Sequence, residues 1–186
     1  LVKGKKSSAK IRNWIIAITI WTFLIALVIS FVSEIIVVNV NLIFAAILLI
    51  LIIFIGVFFD AIGVAVTAAT QIPLNSMSSK RIKGAREAVE LVKNADRVAN
   101  FCNDVIGDIT GIVSGAIGAV IIFRLLTGNP TMEDTLFSVI ITGLIAALTV
   151  GGKALGKNIA LKNSNLIVLK SGFVVYLFNY IFRRRR

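Results

Sequence analysis

Three carboxylates, Asp60, Asp104 and Asp108, interrupt stretches that are otherwise free of charge. An ionised side chain inside a membrane helix costs roughly 2.5–3.5 kcal/mol on insertion scales, so each one calls for a reason. Oxygen donors of this kind suit a hard divalent cation, magnesium or calcium. The sequence has no histidine and a single cysteine, Cys102. Imidazole ligation, imidazole base catalysis, an intrachain disulfide and a thiolate zinc site are thereby removed. The run Gly151–Lys157 looks at first like a phosphate loop, but it lacks the Walker spacing and the Ser or Thr that must follow. An enzyme is not expected. Plainer readings exist for each acid. Asp104 and Asp108 could complement the positive end of a helix dipole, although that effect fades beyond the first turn. Asp60 could mark a membrane boundary.

At about 100° per residue, Asn100, Asp104, Gly107, Asp108, Gly111, Gly115 and Gly118 share one narrow helical face, with Asn103 about 100° off its centre. Gly107, Gly111, Gly115 and Gly118 form a small-xxx-small strip that lets helix backbones approach closely, within one chain or across a homodimer. It could equally serve a close backbone approach that gathers carbonyls and carboxylates around an ion.

Long apolar helices must position these residues. The chain is 58% hydrophobic and only 16% charged, against about a quarter charged in soluble domains, with a mean hydropathy of +0.95. Its charges sit in clusters beside neutral runs, and the net charge of +11 therefore points to the positive-inside rule and anionic lipid, not to nucleic acid. The runs predict four spans, Asn13 to Ser33, Leu42 to Phe59, Asn100 to Phe123 and Leu136 to Val150, each long enough or nearly so for a ~30 Å hydrocarbon core. The first is read as an uncleaved helix, being longer than the apolar core of a signal peptide. Ala61 to Thr70 could continue the second. Ile72-Pro73-Leu74-Asn75 reads as a breaker, Ser78 to Val98 as a polar helix, and Thr127-Gly128-Asn129-Pro130 as a turn. The loop with Glu133 and Asp134 carries no lysine, so four spans put both termini and every basic cluster on the cytoplasmic side. Leu166 to Phe182 is interrupted by Lys170 and followed by four arginines; it reads as an interfacial helix.

Several short segments resemble the transmembrane domain of the cyclin M (CNNM) and CorB/CorC magnesium transport proteins. Gly152-Lys153-Ala154-Leu155-Gly156-Lys157-Asn158-Ile159-Ala160-Leu161-Lys162-Asn163 is similar to that family's Gly-Glu-x-x-Pro-Lys-x-x-Ala-x-Arg-Asn segment. Asn94-Ala95-Asp96-Arg97 and Cys102-Asn103 resemble its Asn-Pro-acid-Arg and Gly-Asn elements, and Phe58-Phe59-Asp60-Ala61-Ile62-Gly63 stands where it has Phe-Phe-Ser-Gly-x-Glu. The resemblance implies a dimer of three-span subunits with a juxtamembrane helical belt and a negatively charged, inward-facing magnesium cavity. The span ahead of it is an addition, and the nucleotide-binding regulatory CBS domains are not expected here. By position, Asp60 replaces the motif serine, Gly63 the glutamate, Lys153 the second glutamate and Gly156 the proline. Asn103 matches the asparagine. A lysine at 153 opposes a cation site by like-charge repulsion.

The expected fold is an all-α integral membrane protein of about four transmembrane helices, with a cytoplasmic helical segment and an interfacial C-terminal helix. Its expected divisions are a basic segment 1–12, an added helix and loop 13–40, a cyclin M-like domain 41–182 and a basic tail 183–186. The expected function is divalent-cation transport or binding in the cell membrane, with magnesium held by Asp60, Asn103, Asp104 and Asp108. The alternative is a non-transporting membrane protein that assembles through its glycine face.

Overall fold

The computed structural model describes residues 2–126 and 132–183, and the described residues are helical almost throughout. In chain order the helices are α1 (Val2–Asn39), α2 (Leu42–Ala68), α3 (Gln71–Ser79), α4 (Ala85–Lys93), α5 (Ala95–Asn100), a π-helical stretch (Phe101–Gly107), α6 (Asp108–Leu125), α7 (Met132–Lys162) and α8 (Ser164–Arg183). Five stretches are long and apolar enough to cross a membrane: Ile16–Ser33, Leu42–Ala68, Ala95–Leu125, Asp134–Lys162 and Ser164–Ile181. The chain is a multi-pass, all-α membrane protein. The expected turn at Thr127–Pro130, the arginines 184–186 and the side chains of Trp14 and Glu133 lie outside the described residues.

Helix α2 is the staff of the bundle. Asn41 caps its start, its side-chain oxygen accepting from the Phe44 amide at 3.0 Å, which satisfies one of the orphan donors there. The helix does not end at Asp60. It runs on to Ala68, because Ala61–Ala68 contains small or apolar residues that pack instead of breaking the helix. The break comes at Ala69 and Thr70, and Pro73 sits inside the first turn of α3, where a missing amide hydrogen leaves no bond unmade. The polar segment expected as one helix from Ser78 is divided by turns at residues 80–84 and 94.

Two apolar clusters stack along α2. One joins Ala45, Leu49 and Ile52 to Val105, Ile109, Val113, Ile117 and Ile121, with Ile18 and Ile25 of α1 against it. The other joins Ala65 and Val66 to Leu74, Ala88, Val89, Val92, Ala160 and Val168, so that α3, α4, α7 and α8 meet at the basic end. The α4–α8 crossing is backbone on backbone. Gly84 has φ of 82°, and a Cβ there would stand 2.5 Å from the Phe173 amide nitrogen. A Cβ on Gly172 would stand 2.6 Å from the Ala88 nitrogen. Helix α8 is thus held along a polar helix, with Phe173, Tyr176 and Tyr180 stacked in a row on it.

Candidate functional site

Between the two clusters, where α2 crosses the π-helical stretch and α7, the packing turns from apolar to polar. Two faces of α2 are used. Gly56, Asp60 and Gly63 lie at intervals of four and three residues, one helical face, toward α6 and the π-helical stretch. A Cβ on Gly56 would strike Thr110 Oγ1, and one on Gly63 would strike Asn103 Oδ1. Val57 and Ala61 form the next face, toward α7: a Cβ on Gly152 or Gly156 would stand 3.0 Å from a Val57 methyl. The glycines of Gly152-Lys153-Ala154-Leu155-Gly156 therefore bring α7 against α2 and carry the two lysines with them.

Asp60 is 4% exposed, the one charged side chain in the buried core among the described residues. Its Oδ2 lies 3.5 Å from Lys157 Nζ and accepts no hydrogen bond. That contact is an ion pair with room left in the carboxylate's coordination, and only the carboxylate end is fixed: the Lys157 side chain is 49% exposed, Asp60's 5%. Lys153, one turn earlier on the same face of α7, donates from Nζ to the Gly107 carbonyl at 3.2 Å. The space beside Gly107 is flanked by Lys153 Nζ at 3.6 Å and Asp60 Oδ1 at 4.0 Å from where a Cβ would stand. The Gly107 carbonyl also accepts from Thr110 Oγ1 at 3.0 Å. Asn103 Oδ1 is buried and, like Asp60 Oδ2, accepts no hydrogen bond among the described residues. Two unsatisfied oxygens at one helix crossing are uncommon, since buried acceptors are nearly always paired.

The other two acids lie elsewhere. Asp104 and Asp108 are exposed, and Asp104 lines a pocket of about 390 Å³ with Ile18, Thr19, Thr22, Phe23 and Val105, against α1. Among the described residues no three Asp, Glu or Cys side chains converge to hold a metal ion. Adjacent residues on a helix lie about 100° apart, so Asn103 faces α2 while Asp104 is turned toward α1. Of the glycine strip, Gly118 meets Ile145 of α7, and Gly111 and Gly115 have nothing among the described residues within 4 Å of a Cβ position. Gly115 and Gly118 line an apolar cavity of about 480 Å³ with Phe123, Thr142 and Ile145.

As oxygen donors, Asp60, Asn103 and the Gly107 carbonyl offer one charge and two dipoles. Magnesium is held in proteins by one or two carboxylates while keeping several waters, so the set suffices for a largely hydrated ion. The two ammonium groups oppose it. Sequence reasoning singled out Asp60, Asn103 and Lys153. It missed Lys157, whose spacing of four from Lys153 in a glycine-flanked turn is the signal that both face one partner.

The family model described as the cyclin M transmembrane N-terminal domain matches residues 46–184. No curated protein and no solved structure matches the chain.

Proposed function

This chain belongs to the cyclin M transmembrane family, and from that premise we propose that it carries a divalent cation, magnesium, across the cell membrane through the Asp60 crossing. Membership supports a general role in divalent-cation transport, in a family of transporters and not of enzymes. The single observation that carries the finer reading is the pair of buried oxygens, Asp60 Oδ2 and Asn103 Oδ1, left without hydrogen bonds at one crossing. Asp60 Oδ2 has the Lys157 ammonium at 3.5 Å but no hydrogen bond, and a cation that both oxygens could coordinate would satisfy the two at once.

In this reading Asp60 supplies the charge and Asn103 and the Gly107 carbonyl the neutral donors. The ion enters from the basic, cytoplasmic end, where both termini lie by the charge rule. Helix α8 lies along the membrane surface, held to α4, and four helices span. Asp104, Asp108, Gly111 and Gly115 mark a face of the third span that a second copy would cover, since exposed acids and glycines suit a helix partner better than lipid. The working unit is then a homodimer.

Asp60→Asn, which keeps shape and removes the charge, is expected to abolish magnesium flux in proteoliposomes while the chain remains folded and monodisperse in detergent. Flux at the wild-type rate in that variant would overturn the transport reading and leave assembly through the glycine face as the alternative.

A further inference from the structure

The crossing that would receive the cation already holds two cations of its own. Lys157 Nζ sits 3.5 Å from Asp60 Oδ2. Lys153 Nζ is bonded to the Gly107 carbonyl and lies beside the space that Asp60 Oδ1 faces. Both come from one face of α7, and the Gly152 and Gly156 contacts with Val57 fix their height on α2. One carboxylate against two ammonium groups leaves the crossing with excess positive charge. A divalent ion could not share it with both lysines in place, because like charges at this range repel strongly in a medium of low dielectric.

We propose that Lys153 and Lys157 are tethered counter-ions that occupy the Asp60 crossing in this conformation and must leave it for a divalent cation to bind. The inference rests on the transport reading above and concerns the regulation of that site. The asymmetry of burial supports it. Asp60 is fixed in the core, whereas half the Lys157 side chain is already exposed and its stem can carry the ammonium to solvent without any helix moving. The exchange also keeps the crossing from standing empty. A buried carboxylate with no partner is strongly destabilising, and the lysines provide one whenever the ion is absent. They set the affinity: each ion bound must replace a cation that is permanently attached, which keeps binding weak enough for release.

The test uses the full chain in detergent, with magnesium chloride as the probe and titration calorimetry and thermal unfolding as readouts. Lys157→Gln keeps a side chain able to donate to Asp60 but removes the charge; Lys157→Arg keeps the charge. Magnesium is expected to bind Lys157→Gln about tenfold or more tightly than wild type, and Lys153→Gln/Lys157→Gln more tightly still, with a correspondingly larger rise of Tm on adding the ion. Lys157→Arg should bind as wild type does, and adding Asp60→Asn to Lys157→Gln should remove the gain. Unchanged or weaker binding by folded Lys157→Gln would overturn the inference, as would an equal gain in Lys157→Arg. If the double variant fails to fold, Lys157→Gln with its arginine control decides alone. The two readings fail separately: Asp60-independent flux sinks transport through this crossing, while Asp60-dependent flux with lysine-independent affinity sinks only the tethered counter-ions.

Discussion

Gly63→Ala separates the stability of the crossing from its chemistry. A Cβ at this position would overlap Asn103 Oδ1 and stand 2.8 Å from Asn103 Cγ and 3.1 Å from its Nδ2. All three atoms belong to the end of one side chain, which can rotate away. An off-rotamer amide costs about 0.5–1.5 kcal/mol. Replacing glycine by alanine inside a helix returns about 0.5–1 kcal/mol. The net change in stability is therefore close to zero, and Tm in detergent should barely move. The oxygen that would face the ion is displaced, however, and losing one neutral donor to a charged partner is worth about 1.5–3 kcal/mol. Magnesium flux at low ion concentration should fall roughly tenfold to a hundredfold, by the usual 1.4 kcal/mol per decade. Asn103→Ala should lose as much, and the double variant no more than either alone, because both changes remove the same oxygen. Proteoliposome flux for the four proteins, with thermal unfolding beside it, makes the comparison. Full flux in Gly63→Ala, or additive losses in the double variant, would refute the role given to Asn103. A loss of stability beyond about 2 kcal/mol would show that Asn103 cannot turn aside, contrary to the packing argument.

Two further outcomes test the frame around the site. Gly172→Ala meets backbone atoms of α4 that cannot rotate away, the Ala88 nitrogen at 2.6 Å and its Cα at 2.9 Å. It should cost about 3 kcal/mol and expose α8 to protease, whereas a melting curve like that of wild type would deny the close α4–α8 contact. Cys102 is 5% exposed, so a maleimide should label it only after denaturation; rapid labelling of the native protein would contradict the packing of the π-helical stretch.

The membrane helices were legible because hydrocarbon imposes length and neutrality on a sequence, and the runs at Leu42 to Phe59 and Leu136 to Val150 fall inside α2 and α7. Their ends were less legible. Ala61 to Thr70 was open to reading as a continuation of the second span, and helix α2 does run on to Ala68, with Gly63, Ala65 and Val66 buried against other helices; where it stops is set by that packing. Pro73 was read as a breaker, yet the first turn of a helix accepts proline, so the break falls at Thr70 instead. Within the site, the helical wheel set Asn103 about 100° off the acidic face. Asn103 packs against Gly63 of α2, while Asp104 and Asp108 are exposed; which face of the third span meets α2 is a tertiary fact that a wheel does not carry. Lys153 was recognised as a charge opposed to a cation. The spacing of four places Lys157 on the same face, but no local pattern shows that the partner of that face is Asp60, 97 residues earlier in the chain.

The position of Asp60 follows from the two apolar clusters. A carboxylate in either would be walled in by isoleucine, leucine and valine, and would carry the full cost of burial. At the junction between them the helices are brought close by glycine, at residues 56, 63, 152 and 156, so backbone carbonyls and short polar side chains take the place of aliphatic ones. Asn103, on the π-helical stretch, meets α2 at the same level. The charge of Asp60 must be balanced by something that reaches between the helices. In this chain α7 carries that balance itself, on stems long enough to withdraw. A bundle with larger residues at 152 and 156 would hold α7 farther from Val57, lift both ammonium groups off the crossing and leave Asp60 to find another cation. The glycines of α7 are therefore as much a part of the charge balance as the lysines they position.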